Sequence, residues 1–311
     1  MTDIAASVLT RLKNKSKASG ISYQQCLQLF MQEEFLRRLS KSKHTSNFVL
    51  KGGLLIYNVT NFESRATIDI DFLLRDFSGS VANTIKKISD ILATITKNDY
   101  INMEITGHEE ISPQRKYKGI SVQIIGRIKN VRVPFNIDIG IGDVIIPGSE
   151  LRKINTQLQD FEIPEIHTYS FESVIAEKFD AILQRFELTG RMKDFYDIYY
   201  IARTFNFNGE ILQSAIIGTL INRSTPHDKD SFIRVAMLAD DSDMKIRWKY
   251  FQKSIGHEMP EFAEVINEIT VFLEPVYDAI IDKKKWQKKW ECKKKQWCDN
   301  TYSLIDKNAL K

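Results

Sequence analysis

The sequence predicts an α+β protein with an α/β N-terminal domain over residues 1–165 and an all-helical C-terminal domain over residues 166–311. Two observations predict this division. Segments with the two-residue alternation of strands and segments with helical spacing take turns up to about residue 147. After Pro164 the apolar residues recur only at helical spacing. A mixed sheet flanked by helices, followed by a helical domain, accounts for both patterns.

The N-terminal elements follow from these periods. Residues 22–40 predict an amphipathic helix. Residues 48–57 predict a short strand that turns into a helix through two glycines, or a helix entered through them. Alternation predicts a strand over residues 67–74, and residues 81–97 predict another helix. Three strand-like runs come next, and the last two are spaced as an antiparallel hairpin: residues 101–106, 117–125 and 130–139.

The C-terminal domain begins with two predicted helices, at residues 171–187 and 193–202. Residues 283–311 hold ten lysines against three acidic residues, a balance of +7, so the other 282 residues sum to −3. Three tryptophans in this tail fall on one helical face: Trp286, Trp290 and Trp297. We predict a basic C-terminal helix that packs its tryptophans on the domain and offers the lysines from Lys283 to Lys295 to RNA phosphates. The alternative is a solvated amphipathic helix without an RNA partner.

The composition excludes several classes of protein. Of 311 residues, 43% are hydrophobic, and no apolar run is long enough to span a membrane. The first twenty residues mix charged and apolar side chains, which argues against a signal peptide. Cys26, Cys292 and Cys298 form neither a disulfide framework nor a zinc motif. We therefore expect a cytoplasmic protein.

Two aspartates one residue apart, Asp69 and Asp71, are the most informative residues of the chain. Residues i and i+2 of a strand point to the same face, so both carboxylates are predicted to project together. Ile68, Ile70 and Phe72 would then face the core. Neighbouring carboxylates repel each other unless a cation lies between them, and a divalent metal is the best candidate. The alternative is an edge strand with two solvated aspartates.

A glycine turn, Lys51-Gly52-Gly53, precedes this pair. Glycines let backbone N–H groups approach a phosphate closely, and the N-terminus of a following helix adds favourable charge. The two aspartates would hold one or two Mg²⁺ ions against the same phosphates. A Gly-Gly or an Asp-x-Asp alone is a weak signal, but their order favours a nucleotide and metal site over a structural turn.

Asp138 lies on a predicted inner strand between Ile137 and Ile139. A lone carboxylate in such a strand needs a partner. One interpretation is a third metal ligand that also takes the proton from an attacking hydroxyl, and the other is a strand-end cap. Asp143, in the glycine-containing loop that follows, competes with Asp138 for the role of third carboxylate.

Charged residues also mark the two helices that begin the C-terminal domain. A lysine ammonium such as that of Lys178 suits a triphosphate, and Asp194 could orient it or the nucleophile. Asp194 and Asp197 lie one turn apart, while Lys193 and Asp197 are spaced to pair. A network of surface ion pairs is the alternative, and such networks are common on helices.

The combined pattern resembles the AbiEii/AbiGii nucleotidyltransferase toxins of bacterial type IV toxin–antitoxin and phage abortive-infection systems. The resemblance covers roughly residues 45–205. Four segments carry it, in the order in which they occur in the family: Phe48–Gly53, Arg65–Phe72, Glu177–Lys178 and Arg191–Asp197. Many relatives have Ser or Thr after the glycines, whereas Leu54 follows them here, which leaves the backbone amides to bind phosphate.

The resemblance implies a DNA-polymerase-β-like nucleotidyltransferase core followed by a helical domain. It implies that Lys178 contacts the triphosphate and that Asp194 is a late catalytic aspartate. The residues expected to bind the nucleotide are Lys51, Gly52, Gly53, Arg65 and Lys178. Those expected to bind Mg²⁺ are Asp69, Asp71 and Asp138, and the expected catalytic set is Asp69, Asp71, Asp138, Lys178 and Asp194.

Members of this family bind nucleoside triphosphates, and some add nucleotides to the 3′ acceptor end of tRNA. An antitoxin encoded beside the toxin counters it. The resemblance therefore implies a metal-dependent transferase that moves a nucleotide from an NTP to an RNA, the 3′ end of tRNA, and so causes growth arrest or abortive phage infection. Two alternatives stay open: a protein or small-molecule hydroxyl as the acceptor, and a non-catalytic module that binds RNA or a partner protein.

Overall fold

The computed structural model describes residues 3–75, 80–111, 119–255 and 258–299. The chain forms two compact units. The first comprises Met1–Asp143 and Ser149–Tyr169, and the second comprises Val144–Gly148 and Ser170–Lys311. The short segment joins the second unit through Ile146, whose N–H donates to Ser173 Oγ at 2.9 Å.

The first unit contains a mixed sheet and four helices among the described residues. The helices are α1 (Ile4–Ser19), α2 (Tyr23–Lys41), α3 (Gly52–Val59) and α4 (Val81–Leu92). The strands are β1 (Phe48–Lys51), β2 (Ile70–Leu74), β3 (Ile101–Ile111), β4 (Gly119–Ile128), β5 (Val131–Ile141), β6 (Glu150–Lys153) and β7 (Glu165–Thr168). They lie in the order β3-β4-β5-β2-β1-β7-β6. The central strand β2 runs antiparallel to β1 and parallel to β5.

Local signals explain several of these elements. Ser22 and Gln25 form a capping box at the start of α2, each side chain accepting the backbone N–H of the other residue. The hairpin between β4 and β5 turns at Lys129, which has a φ of 51°. The glycine turn follows the first predicted alternative, because β1 ends at Lys51 and α3 begins at Gly52.

The second unit is mainly helical. Its described α-helices are α5 (Phe171–Arg185), α6 (Met192–Thr204), α7 (Gly209–Arg223), α8 (Ser231–Met237), α9 (Ser242–Ile255) and α10 (Phe262–Ile281). Short 3₁₀ helices lie at Phe186–Leu188 and Leu238–Asp240. Three short strands form a second sheet in the order β10-β9-β8: β8 (Phe207–Asn208), β9 (Lys288–Glu291) and β10 (Gln296–Asp299). A mixed sheet flanked by helices, with a mainly helical unit after it, confirms the predicted α+β class.

The basic tail is a β-hairpin, so the predicted C-terminal helix is wrong over residues 283–299. Trp290 of β9 lies opposite Trp297 of β10. The indole of Trp290 donates to the Ala202 carbonyl at 2.7 Å, and that of Trp297 donates to the Phe272 carbonyl at 2.9 Å. The spacing of the tryptophans also fits a hairpin, because its turn brings the last indole back opposite the middle one. The second unit is therefore not wholly helical, and residues 300–311 lie outside the described ranges.

No helix within the described parts of the chain is long and apolar enough to cross a membrane.

Candidate active site

Polar side chains stand in register on four neighbouring strands of the first unit. Ser121 of β4 lies opposite Asp138 of β5. Asp138 is the register partner of Asp71 on β2, and Asp71 lies opposite Lys51 on β1. Directly paired residues project to one face of a sheet, with Cβ atoms about 5 Å apart. We call these four residues, Ser121, Asp138, Asp71 and Lys51, the polar row.

The opposite face of the same strands belongs to the core. Ile70 and Phe72 flank Asp71, and Ile137 and Ile139 flank Asp138. All four of these apolar side chains are at most 1% exposed. The alternation along β2 and β5 therefore directs both carboxylates to the face that is not filled by the core.

Gly52 defines the surroundings of Asp71. Its φ of +72° lies in the left-handed region, which glycine adopts without strain. A Cβ at this position would also overlap Oδ2 of Asp71. The carboxylate therefore rests against the α-carbon of Gly52, the first residue of α3, where backbone N–H groups point away from the helix. Glycine is needed here both for its conformation and for the space it leaves.

Arg65 and Thr67 pack beside the second glycine. A Cβ on Gly53 would lie 2.9 Å from Nη2 of Arg65 and 3.3 Å from Oγ1 of Thr67. Arg65 is only 8% exposed. A guanidinium next to the first turn of a helix adds positive charge where the helix itself favours an anion. The arrangement suits a phosphate group.

Asp69 lies outside the strand, one residue before β2 begins. Its N–H donates to Oγ1 of Thr67 at 3.3 Å, and the side-chain amide of Gln32 donates to the Ile68 carbonyl at 2.6 Å. These bonds hold the segment apart from the strand ladder. Ile68 is 43% exposed, so the prediction that it faces the core is wrong. The same-face argument consequently applies to Asp71 and not to Asp69.

Asp143 contacts the lysine of the polar row. Its Oδ2 accepts a hydrogen bond from Lys51 Nζ at 3.0 Å, and the same ammonium lies 5.3 Å from the centre of the Tyr169 ring. The side chains of Lys51 and Asp143 are 14% and 7% exposed. Asp138 and Asp143 are the two candidates for the third carboxylate of the site. Asp138 lies beside Asp71, whereas Asp143 pairs with Lys51.

The carboxylates of the polar row fit a metal ion that is bound jointly by the protein and by the phosphates of a substrate. Within residues 3–75, 80–111, 119–255 and 258–299, no three His, Cys, Asp or Glu side chains are grouped closely enough to hold a metal. Mg²⁺, however, is commonly bound through one or two carboxylates plus substrate phosphates. Asp71 and Asp138 supply two carboxylates in register. Oδ1 of Asp138 accepts a hydrogen bond from Ser121 at 2.6 Å, a partner that sequence reasoning missed.

A second charged cluster lies in the second unit. Lys178 Nζ is 3.2 Å from Asp194 and 2.5 Å from Asp197. Arg191 Nε donates to Asp194 at 2.6 Å. Burial raises the pKa of Asp194, but the cations of Lys178 and Arg191 outweigh it and hold that pKa below its ordinary value. Lys178 on α5 and Asp194 and Asp197 on α6 are buried. The alternative of surface ion pairs therefore does not describe this cluster.

Comparison with known protein families identifies the family to which the chain belongs. The family described as nucleotidyl transferase AbiEii toxin, type IV TA system, matches residues 34–282. This match covers most of the chain, and the protein therefore belongs to the AbiEii nucleotidyltransferase toxin family, as its sequence motifs predicted. Membership in a toxin–antitoxin family implies a cognate antitoxin and a nucleotide substrate.

Two solved structures are similar to this chain. The nucleotidyltransferase toxin MenT4 of Mycobacterium tuberculosis H37Rv is 13% identical, with a TM-score of 0.54 over 86% of this chain and 98% of that one. JHP933 of Helicobacter pylori is 13% identical, with a TM-score of 0.47 over 84% of this chain and 95% of that one. A comparison with curated protein sequences finds no match. The likeness to MenT4 supports the nucleotidyltransferase fold.

Proposed function

We propose that the protein transfers a nucleotide from an NTP to an RNA acceptor, the 3′ end of tRNA, in the cytoplasm, and thereby causes growth arrest or abortive phage infection. One observation carries this proposal. Asp71 and Asp138 lie in register, and Asp71 rests on Gly52 at the start of α3. Two carboxylates next to a helix N-terminus suit the joint binding of a divalent cation and a triphosphate.

The first unit supplies groups for the nucleotide. We propose that the N–H groups of Gly52 and Gly53 bind its phosphates, with Arg65 and Lys51 adding positive charge. The guanidinium of Arg65 lies against Gly53. Mg²⁺ would be held by Asp69, Asp71 and Asp138 and would stabilise the charge that develops on the attacking and leaving oxygens.

The reaction forms a bond between the acceptor 3′ oxygen and the α-phosphorus. The bond from that phosphorus to the bridging oxygen breaks, and pyrophosphate leaves. Asp138 accepts the proton of the hydroxyl, and the Ser121 hydroxyl fixes the orientation of its carboxylate through the 2.6 Å hydrogen bond. Asp71 carries the negative charge that retains the cation beside it.

Lys178 is proposed to contact the triphosphate, and Asp194 to act as the late catalytic aspartate that orients it. The 3.2 Å bond between these side chains supports the second role. Asp197 approaches the same ammonium, so Lys178 is held from two sides. A long side chain that is already fixed loses less conformational freedom when it binds a ligand.

The tryptophan-anchored hairpin is the proposed RNA contact. Three of its lysines pair with acidic side chains: Lys288 with Asp299, Lys294 with Glu291 and Lys295 with Glu268. Lys289 and Lys293 are exposed and form no ion pair with any described residue. These two lysines are the ones that we expect to meet RNA phosphates.

The test is a transfer assay with each labelled NTP, total tRNA and Mg²⁺. Wild-type protein should label RNA, and Asp71→Asn should not, because the variant lacks the charge that retains the cation. Glu104→Gln is the matched control, since Glu104 pairs with Arg127 on the exposed surface of the same sheet. Equal labelling by wild type and Asp71→Asn would remove Asp71 from the mechanism.

The transfer assay and a test of toxicity on expression separate the alternatives. Label on the protein itself would indicate a protein hydroxyl as the acceptor. Toxicity on expression that survives Asp69→Asn and Asp71→Asn together would indicate a non-catalytic module. Either result would contradict the proposed transfer to RNA.

A further inference from the structure

The ammonium of Lys51 is held in place by groups on three sides. Asp143 Oδ2 lies at 3.0 Å, and the Tyr169 ring centre lies at 5.3 Å. A Cβ on Gly140 would be 3.5 Å from Nζ, so the backbone of β5 passes close by. A lysine side chain has many rotamers in solution. These contacts favour one position of the Lys51 ammonium.

Lys51 belongs to the candidate site. Lys51 ends β1, its register partner is Asp71, and the next residue, Gly52, begins α3. Asp143 follows β5, the strand that carries Asp138, by two residues. The pair therefore links the residue before α3 to the segment after β5, and so connects the elements that carry the proposed nucleotide and metal residues.

We propose that Asp143 is a positioning residue: it holds the Lys51 ammonium where a nucleotide phosphate can meet it, and it is not itself a metal ligand. The inference rests on the proposed function. Asp143 holds the ammonium beside Gly140, two residues beyond Asp138 on β5. Without Asp143, the ammonium would be drawn more strongly to the carboxylates of the polar row, where it would compete with a bound cation and be less available to phosphate.

A double-mutant cycle tests this role. Binding of ATP, CTP, GTP and UTP is measured separately by calorimetry in the presence of Mg²⁺, for wild type, Asp143→Asn, Lys51→Met and the double variant. We expect Asp143→Asn to weaken the tightest nucleotide about tenfold, as befits a charged hydrogen bond that orients a ligand group. On the Lys51→Met background the same substitution should change affinity less than about twofold.

The controls separate positioning from folding. Glu162→Gln removes the carboxylate partner of Lys41 on the exposed surface of the first unit and should leave nucleotide affinity unchanged. Circular dichroism and thermal unfolding establish that each variant is folded. Should Asp143→Asn fail to fold, the cycle is run with Asp143→Ser, which keeps a small polar group.

Two results would overturn the inference while leaving the proposed function intact. Equal weakening by Asp143→Asn with and without Lys51 would show that Asp143 acts on the ligand or the metal directly. Nucleotide affinity that Asp143→Asn leaves unchanged would show that the ion pair is only structural. Wild-type protein that binds none of the four nucleotides would instead overturn the proposed function, and this inference with it.

Discussion

Two charged groups in the first unit differ in how their charges are balanced. On α2, the Glu34 carboxylate is fully buried and pairs with Arg37 at 3.0 Å and Arg38 at 3.2 Å. Thr96 and Asn98 each donate a further hydrogen bond to it at 2.6 Å. Arg38 in turn donates to two backbone carbonyls. This network matches donors to acceptors within the protein.

The polar row is arranged differently. Asp71 and Asp138 are partly exposed, and they stand side by side on adjacent strands. The ammonium of Lys51 pairs with a further carboxylate, that of Asp143, at 3.0 Å. The carboxylates of Asp71, Asp138 and Asp143 lie in this region with the Lys51 ammonium, and the Arg65 guanidinium packs beside Gly53. Asp71 and Asp138 are partly accessible to solvent and can take part in binding a cation, whereas the Glu34 carboxylate is fully buried.

The two groups thus differ as charge that supports the fold and charge that is proposed to support catalysis. A buried, matched network contributes through the penalty of breaking it. A half-exposed group contributes little to stability, so substituting it should affect function first.

Asp138→Asn should lower the rate of transfer by about 10² to 10⁴, the range that a positioned proton acceptor contributes. Asparagine keeps the acceptor for the Ser121 hydroxyl and removes the charge. The free energy of unfolding should change by less than about 1 kcal/mol, because the side chain is half-exposed. Transfer kinetics and urea unfolding on the same preparation check both values. A large loss of stability would place Asp138 with the structural charges.

Glu34→Gln should show the opposite profile. It removes the buried charge that pairs with both Arg37 and Arg38, which costs about 3–5 kcal/mol of unfolding free energy. Urea unfolding measures the loss, and Glu104→Gln, in an exposed pair with Arg127, should lose less than about 1 kcal/mol. Near-equal losses in the two variants would contradict the structural role of the α2 network.

Gly52→Ala should affect both properties, and Gly20→Ala provides the matched control. Both glycines have a φ above +70°, so each substitution should cost about 1–2 kcal/mol of backbone strain. A Cβ at residue 20 meets no described heavy atom within 4 Å, whereas one at residue 52 overlaps Asp71. Only Gly52→Ala should therefore also weaken nucleotide binding with Mg²⁺. Loss of binding in both variants would attribute the effect to strain alone.

Glu33 should affect the transfer reaction least and should give a slope in stability with pH. Burial raises the pKa of Glu33 to about 7 against an ordinary value of 4.5, although Arg37 opposes the shift. Between these two values the native state holds a proton that the unfolded chain has released, so the free energy of unfolding falls as pH rises. Urea unfolding at several pH values should show this fall in wild type relative to Glu33→Gln. Parallel curves would contradict it.

Much of the fold could be predicted because its signals are local. The strand and helix on either side of the glycine turn, and the hairpin of β4 and β5, follow from alternation and turn residues. The tail was mispredicted because its hairpin depends on distant contacts. Trp290 bonds to Ala202, 88 positions away along the chain, and no local period reports such a bond.

The residues of the candidate site could likewise be predicted only where their signals are local. Alternation placed Asp71 and Asp138 on strands, but their register with each other requires the order of strands in the sheet, which one sequence does not reveal. Ser121 was overlooked because a single serine in an apolar strand gives little signal until its neighbour is known. Asp69 lies just before the strand. The preceding residue, Ile68, accepts a hydrogen bond through its carbonyl from the side chain of Gln32, 36 positions away along the chain.

The hairpin affects the direction in which the tail presents its charge. Lys289 and Trp290 are successive residues of β9, so their side chains leave opposite faces of the strand. With the indole buried, the ammonium can point only outward. Lysines on a helix of the same composition would surround its axis and attract a polyanion from many sides. If RNA binds here as proposed, it would contact Lys289 from the outward face of the hairpin.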